Sequence, residues 1–325
     1  MPPRVGPSNV LSPQSLLSAW CPSVCPVEKT TELNRLTSGR ILPGVHTSER
    51  LQWWSGPLND AKPKCNLCDD AWLFIISLGG RTGSTTILNM LNAHPLVRLA
   101  GENQGAMVPT AQRWEMLASR NYRSEPPDAD ADASARLAVQ PMDLLCDEQS
   151  EFKTFATSTR AMPGEPAIRG FKDVAWTLEA IEMLDVLFPC NRKIFNARAN
   201  ASAQETSRET AFSGRPAIAN PIRTDVASVL PGARAHYNRD QATGHSWRSF
   251  WMSLPDDGFT TSQFNDLLSW LGEDSCRFSS VIHSNAPDKE HKDAGGYDNT
   301  RGSWRDAASQ LYGNCSLHVV VPESR

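Results

Sequence analysis

Gly79-Gly80-Arg81-Thr82-Gly83-Ser84-Thr85 lies between an apolar run and a helical pattern. These residue types, in this order, suit the binding of an anion. Gly79, Gly80 and Gly83 let the backbone turn tightly and approach a ligand closely. The first turn of the following helix offers N–H groups with no partner inside the helix. Ser84 and Thr85 add hydroxyl donors, and Arg81 adds a planar cationic fork that matches the oxygens of a phosphate or sulfate. The stretch is not the nucleotide-triphosphate loop GxxxxGK[ST]. Ser84, not Lys, follows Gly83, and Leu78 stands where that loop needs its first glycine.

The elements that must hold this turn are legible as periodicity. Trp72-Leu-Phe-Ile-Ile-Ser-Leu78 is a short apolar run that predicts a buried strand. From Thr85 to Asn92, residues Ile87, Leu88 and Leu91 recur at helical spacing, and His94-Pro95 ends the pattern. Further strands are predicted over 96–100, 167–171, 193–197, 249–254 and 317–321. Helices are predicted over 177–187, 201–212 and 262–271, the last closed by Gly272. Strands alternating with helices predict an α/β fold with a central, mainly parallel sheet flanked by helices. Residues 1–70, rich in Pro and Ser, are read as a leader or arm, and 71–325 as the folded domain. Stretches at about 120–165 and 213–247 are read as insertions, with long loops of the kind that form one side of an active site.

The bulk numbers exclude several classes. The chain has 325 residues and a net charge of −4, with a pI near 6.0. A general binder of nucleic acid or of anionic membranes would carry a basic excess. No run of 18 apolar residues exists, so no membrane span is predicted in this chain, and no signal peptide or anchor is evident. Cys65-Asn-Leu-Cys68 has CxxC spacing, but no second pair or histidines follow at zinc spacing. A local disulfide or free thiols are expected, and no metal site. Asn200-Ala-Ser202 and Asn314-Cys-Ser316 fit the glycosylation sequon.

The segment Phe74-Ile-Ile-Ser-Leu-Gly-Gly-Arg-Thr-Gly-Ser-Thr-Thr-Ile-Leu-Asn-Met-Leu-Asn-Ala-His-Pro95 resembles the 5′-phosphosulfate loop of sulfotransferases that use 3′-phosphoadenosine-5′-phosphosulfate (PAPS). It is most similar to the Golgi-type branch of tyrosylprotein and carbohydrate sulfotransferases, which has a P-loop-like fold. The resemblance implies that Gly80, Arg81, Thr82, Gly83, Ser84 and Thr85 hold the phosphosulfate. It places the catalytic base at Glu102, in Ala100-Gly-Glu-Asn103, shortly after the His-Pro pair. Such a base matters because a neutral hydroxyl is a poor nucleophile until a carboxylate takes its proton.

Gly170-Phe-Lys172-Asp173 is similar to the strand end where the family keeps a lysine on the bridging oxygen of PAPS, which makes Lys172 catalytic. Negative charge grows on the departing phosphate, and a fixed cation stabilises it. Lys193-Ile-Phe-Asn-Ala-Arg198 resembles the strand whose arginine, with a serine about two helical turns later, binds the 3′-phosphate. Arg198 fits; Thr206 and Ser207 both offer the hydroxyl, with Ser207 the candidate, and Ala199-Asn200 replaces the family's usual residues. By the same resemblance, Cys190 and Cys276 are a candidate disulfide pair and Arg301 a candidate neighbour of the 3′-phosphate. Also implied are sulfuryl transfer to a carbohydrate or protein acceptor, no metal, and a Golgi or secretory location. The rival readings are a nucleotide kinase and a catalytically decayed binding module.

Overall fold

Every residue of the strand Ala71–Ser77 is buried. Its side chains alternate between two cores: Trp72, Phe74 and Ile76 belong to one, Ala71, Leu73 and Ile75 to the other. A strand covered on both faces needs apolar residues at nearly every position, which is why its sequence shows no polar alternation. The computed structural model describes residues 65, 67, 70–102, 105–113, 141–158, 168–212, 226–282 and 304–315.

In chain order the elements are β1 (Ala71–Ser77), α1 (Ser84–Asn92), β2 (Val97–Ala100), α2 (Pro141–Ser158), β3 (Ile168–Asp173), α3 (Leu178–Leu187), β4 (Arg192–Arg198) and α4 (Ala201–Phe212). They continue with α5 (Val226–Ala242), β5 (Ser249–Leu254), α6 (Thr261–Leu271), β6 (Cys276–Phe278), α7 (Trp304–Ala308) and β7 (Leu311–Gly313). Residues 107–113 are also helical. Five strands form one sheet in the order β2-β3-β1-β4-β5. All of its neighbours are parallel. One core holds Phe152 of α2, Ile181 and Leu184 of α3 and Val229 of α5. The other holds Ile87 and Leu91 of α1, Phe264 and Leu268 of α6 and Ala307 of α7. The helices that follow β1 and β3 therefore cover opposite faces. In such a sheet the crevice for a ligand opens at the carboxyl ends of the strands, where the winding reverses.

Local signals set the helix ends. Thr177 caps α3 through the Ala180 amide. Thr260 and Gln263 form a capping box on α6, and Gly272 closes it at φ 92°.

The two stretches read as insertions are partly helical, as α2 and α5. Pro231 and Gly232, which look like punctuation, lie inside α5. A Cβ at Gly232 would run into Leu178, so this glycine lets α5 cross the start of α3 closely. The cysteines also pair differently from expectation. Cys65 bonds to Cys146, not to Cys68, because α2 lies against the chain entering β1, where Gln149 donates to the Leu67 carbonyl. Cys276 bonds to Cys315, not to Cys190. The antiparallel register sets Cys276 opposite Gly313, two residues from Cys315. Cys190 is disulfide-bonded as well. The expected strand over 317–321, and Arg301, lie outside the described residues.

Candidate active site

The turn between β1 and α1 is held by its carbonyls. Ser77 Oγ donates to Gly79 O at 2.7 Å. Gln204 Nε2 donates to Gly80 O at 2.8 Å. Asn196 Nδ2 donates to Thr82 O at 3.1 Å, and Arg198 Nη1 reaches Arg81 O at 3.4 Å. A peptide's N–H points opposite to its C=O. Tying these carbonyls back to β1, β4 and α4 therefore turns the intervening amides the other way. Among the described residues, none of the backbone N–H groups of residues 80–85 has an acceptor. Six consecutive N–H groups without an acceptor, beside a helix N-terminus, are an arrangement that suits an anion.

The backbone carries the matching strain. Gly79, Arg81 and Gly83 all have positive φ. For Arg81, at φ 66°, this conformation costs about 1–2 kcal/mol. Such strain persists where the surroundings impose it, and it clusters at functional sites. Gly80 behaves differently: it has no positive φ, and a Cβ there would meet nothing within 4 Å. The side of the loop on which a ligand would approach is open.

Arg81, Arg198 and Ser207 come together. Arg81 Nε donates to Ser207 Oγ at 3.1 Å. Arg198 Nε is buried and unpartnered. Thr82 offers only its amide, because its hydroxyl lies 2.6 Å from Ser77 Oγ and is fully buried.

Lys172 and Glu102 also come together, as an ion pair between Lys172 Nζ and Glu102 Oε1. Lys172 is 3% exposed and Glu102 52%, so the cation is fixed and the carboxylate faces outward. Lys172 pairs in register with Ile75 of β1. The Lys172–Glu102 pair and the Arg81–Arg198–Ser207 group do not touch; they flank the loop on the β3 and β4 sides. Asp173 follows Lys172 and is 1% exposed. Burial pushes its carboxyl up from the usual range, the amides of Gly105, Ala175 and Val174 oppose this, and the charge of Glu102 adds to it.

Donors for an anion along one edge, with a carboxylate beside a buried ammonium, suit transfer of an anionic group to a nucleophile. A sequence model of the sulfotransferase family matches residues 73–272. The chain belongs to the sulfotransferase family. No curated protein sequence matches it. The matched region of this sulfotransferase runs from within β1 through α6 and contains Arg81, Glu102, Lys172, Arg198 and Ser207.

Sequence inspection missed several residues of the sulfotransferase site. Asn196 is a polar residue next to the buried apolar pair Ile194 and Phe195 of β4, and that was its available signal. Ser77, the polar end of the apolar strand β1, offers the same signal, whereas Gln204 acts only through loop carbonyls brought to it by the fold. A cavity of about 400 Å³ opens between residues 106–113 and α2, lined by Thr110, Arg113, Glu148, Glu151 and Phe152 among others. Among the described residues, no group of three His, Cys, Asp or Glu is placed to hold a metal ion, and no helix is long and apolar enough to cross a membrane.

Proposed function

We propose that this sulfotransferase moves a sulfuryl group from PAPS to an acceptor hydroxyl or amine, with a carbohydrate as the acceptor class. The observation that carries the reading is the cradle of unengaged amides from Gly80 to Thr85. It is flanked by the orphaned Arg198 Nε on one side and the Lys172–Glu102 pair on the other. An elongated ligand with anionic groups at both ends fits this arrangement of donors. PAPS, when bound, supplies the sulfuryl group and a phosphate leaving group.

The loop amides and the hydroxyls of Ser84 and Thr85 hold the 5′-phosphosulfate. Arg198 and Ser207 hold the 3′-phosphate, and Arg81, steadied by Ser207, adds its remaining nitrogens between them. Lys172 keeps an ammonium where charge grows on the departing phosphate. Glu102, half exposed beside it, takes the proton of the acceptor. The cavity that begins at Ala106 mixes Phe152 with hydrogen-bonding side chains, a lining that suits a hydroxyl-rich acceptor. The disulfides Cys65–Cys146 and Cys276–Cys315 favour an oxidising compartment such as the Golgi or another part of the secretory pathway.

The test has two arms. In thermal-shift titrations, 3′,5′-ADP should stabilise the protein while ATP with Mg²⁺ does not. Labelled sulfate from PAPS should then appear on a member of an acceptor panel of oligosaccharides and tyrosine peptides. Stabilisation by ATP–Mg²⁺ alone would favour a kinase; tight 3′,5′-ADP binding with no transfer to any acceptor would favour a decayed binding module.

A further inference from the structure

Parallel pairing between β2 and β3 ends at Ala100 opposite Phe171. Beyond that point the two segments carry the two groups that must stay in register: Glu102 after β2 and Lys172 in β3. One side chain bridges the gap. Asp173 Oδ2 accepts from the Gly105 amide at 2.8 Å. Its Oδ1 accepts from the Val174 amide at 2.7 Å and the Ala175 amide at 3.1 Å. Among the described residues, the Gly105–Asp173 bond and the Lys172–Glu102 pair are the only polar ties from Gly101, Glu102 and Gly105 to the sheet. Gly105 takes a positive φ of 79°. Where the ladder stops, a carboxylate takes its place.

We propose that Asp173 is a positioning residue, which fixes the segment bearing Glu102 against the strand bearing Lys172 and so sets the spacing of base and cation. This role rests on Glu102 acting as the base and Lys172 as the cation at the leaving group. Asp173 touches neither substrate; it acts through the backbone three residues beyond Glu102. A buried carboxylate that accepts three amide N–H bonds is a rigid tie. An amide side chain cannot replace it, because its NH₂ would face a backbone N–H as donor against donor. A misplacement of about 1 Å in such a pair costs on the order of 10²-fold in rate.

The test is Asp173→Asn in the full chain, scored against wild type, Glu102→Gln and the double variant Glu102→Gln/Asp173→Asn. Asp173→Asn should lower kcat for sulfuryl transfer on the order of 10²-fold, while the Kd for 3′,5′-ADP changes less than about twofold. The double variant should be no slower than Glu102→Gln alone, because a residue that acts through the base has nothing left to position. A folded Asp173→Asn protein with wild-type kcat, or rate losses that multiply in the double variant, would overturn the role. If Asp173→Asn does not fold, Asp173→Glu serves: it keeps the charge, displaces Gly105, and should show the same split between kcat and Kd. Asp185→Asn, at the amino ends of the strands, is the control for general destabilisation and should leave kcat per folded molecule unchanged. A wild type without transfer, or a Glu102→Gln protein as fast as wild type, would count against the underlying mechanism instead.

Discussion

The two edges of the sheet hold similar side chains in opposite ways. At the amino edge, Asp185 of α3 pairs with Lys193 at the start of β4 and with Arg248 at 3.3 Å. It also accepts from Asn191 at 2.9 Å and lies 3.0 Å from His236 Nε2. Asp240 of α5 pairs with Ser249. Lys193 is fully buried. Burial alone would raise the Asp185 carboxyl, but Lys193, Arg248 and His236 outweigh it and hold the group well below the usual carboxylate range. Its charge is answered from inside the protein. At the carboxyl edge, six loop amides face no acceptor among the described residues, and Glu102 is half exposed. A charge that the fold itself neutralises serves architecture, whereas donors left unanswered at a strained loop await a ligand.

The largest effect that would break this contrast is catalytic. Glu102→Gln should lower sulfuryl transfer by about 10²–10⁴-fold. It should change stability less than Asp185→Ala does, since Glu102 faces outward and Gln can still accept from the Lys172 ammonium. Initial rates and thermal unfolding of the same preparation check both parts. Asp185→Ala should do the reverse. It leaves Lys193 and Arg248 buried without their partner, so denaturant unfolding should show a loss of about 3–5 kcal/mol, with transfer per folded molecule unchanged. Arg198→Ala should weaken 3′,5′-ADP binding on the order of 10–100-fold by calorimetry, at little cost to the melting temperature.

The mildest test is acid. Asp185 has a folded pKa below its unfolded value of about 3.9. Its contribution is therefore fully present above about pH 4 and is lost as pH falls through the folded value. Asp173 has the opposite sign. Its raised folded value makes its ionisation cost stability near neutrality, and that cost disappears as pH falls through the folded value. Stability measured against pH should thus fall more gently below about pH 4 in Asp185→Asn than in wild type, whereas Asp173→Asn should keep that fall and lose the small opposing rise above it.

Much of the site was legible because its signals are local. The strand, glycine turn and helix from Trp72 to Asn92 follow from periodicity and from glycines at the positive-φ positions 79 and 83. Arg81 was visible from its place in the turn after a strand, whereas Glu102, Lys172 and Arg198 were candidates only through the resemblance to the sulfotransferase family. That Ser207 would meet Arg81 was not visible, since adjacent helix positions point about 100° apart and only the seating of α4 against the loop brings Ser207 to it. Asp173 was in view beside Lys172, yet its partner Gly105 is 68 residues away. The helices α2 and α5 escaped because long-range packing on the sheet, more than a clean apolar stripe, holds them.

By itself the amino-acid sequence determined the α/β class, the succession of the main strands and helices along the chain and the glycine turn after β1, because backbone period and glycine conformation are decided within a few residues. Tertiary structure alone decided which cysteines bond, which hydroxyl meets Arg81, which carbonyls aim the loop amides, and that Glu102 meets Lys172 across 70 residues. Each of these depends on distances between segments far apart in the chain, which strand order and register set and residue spacing does not.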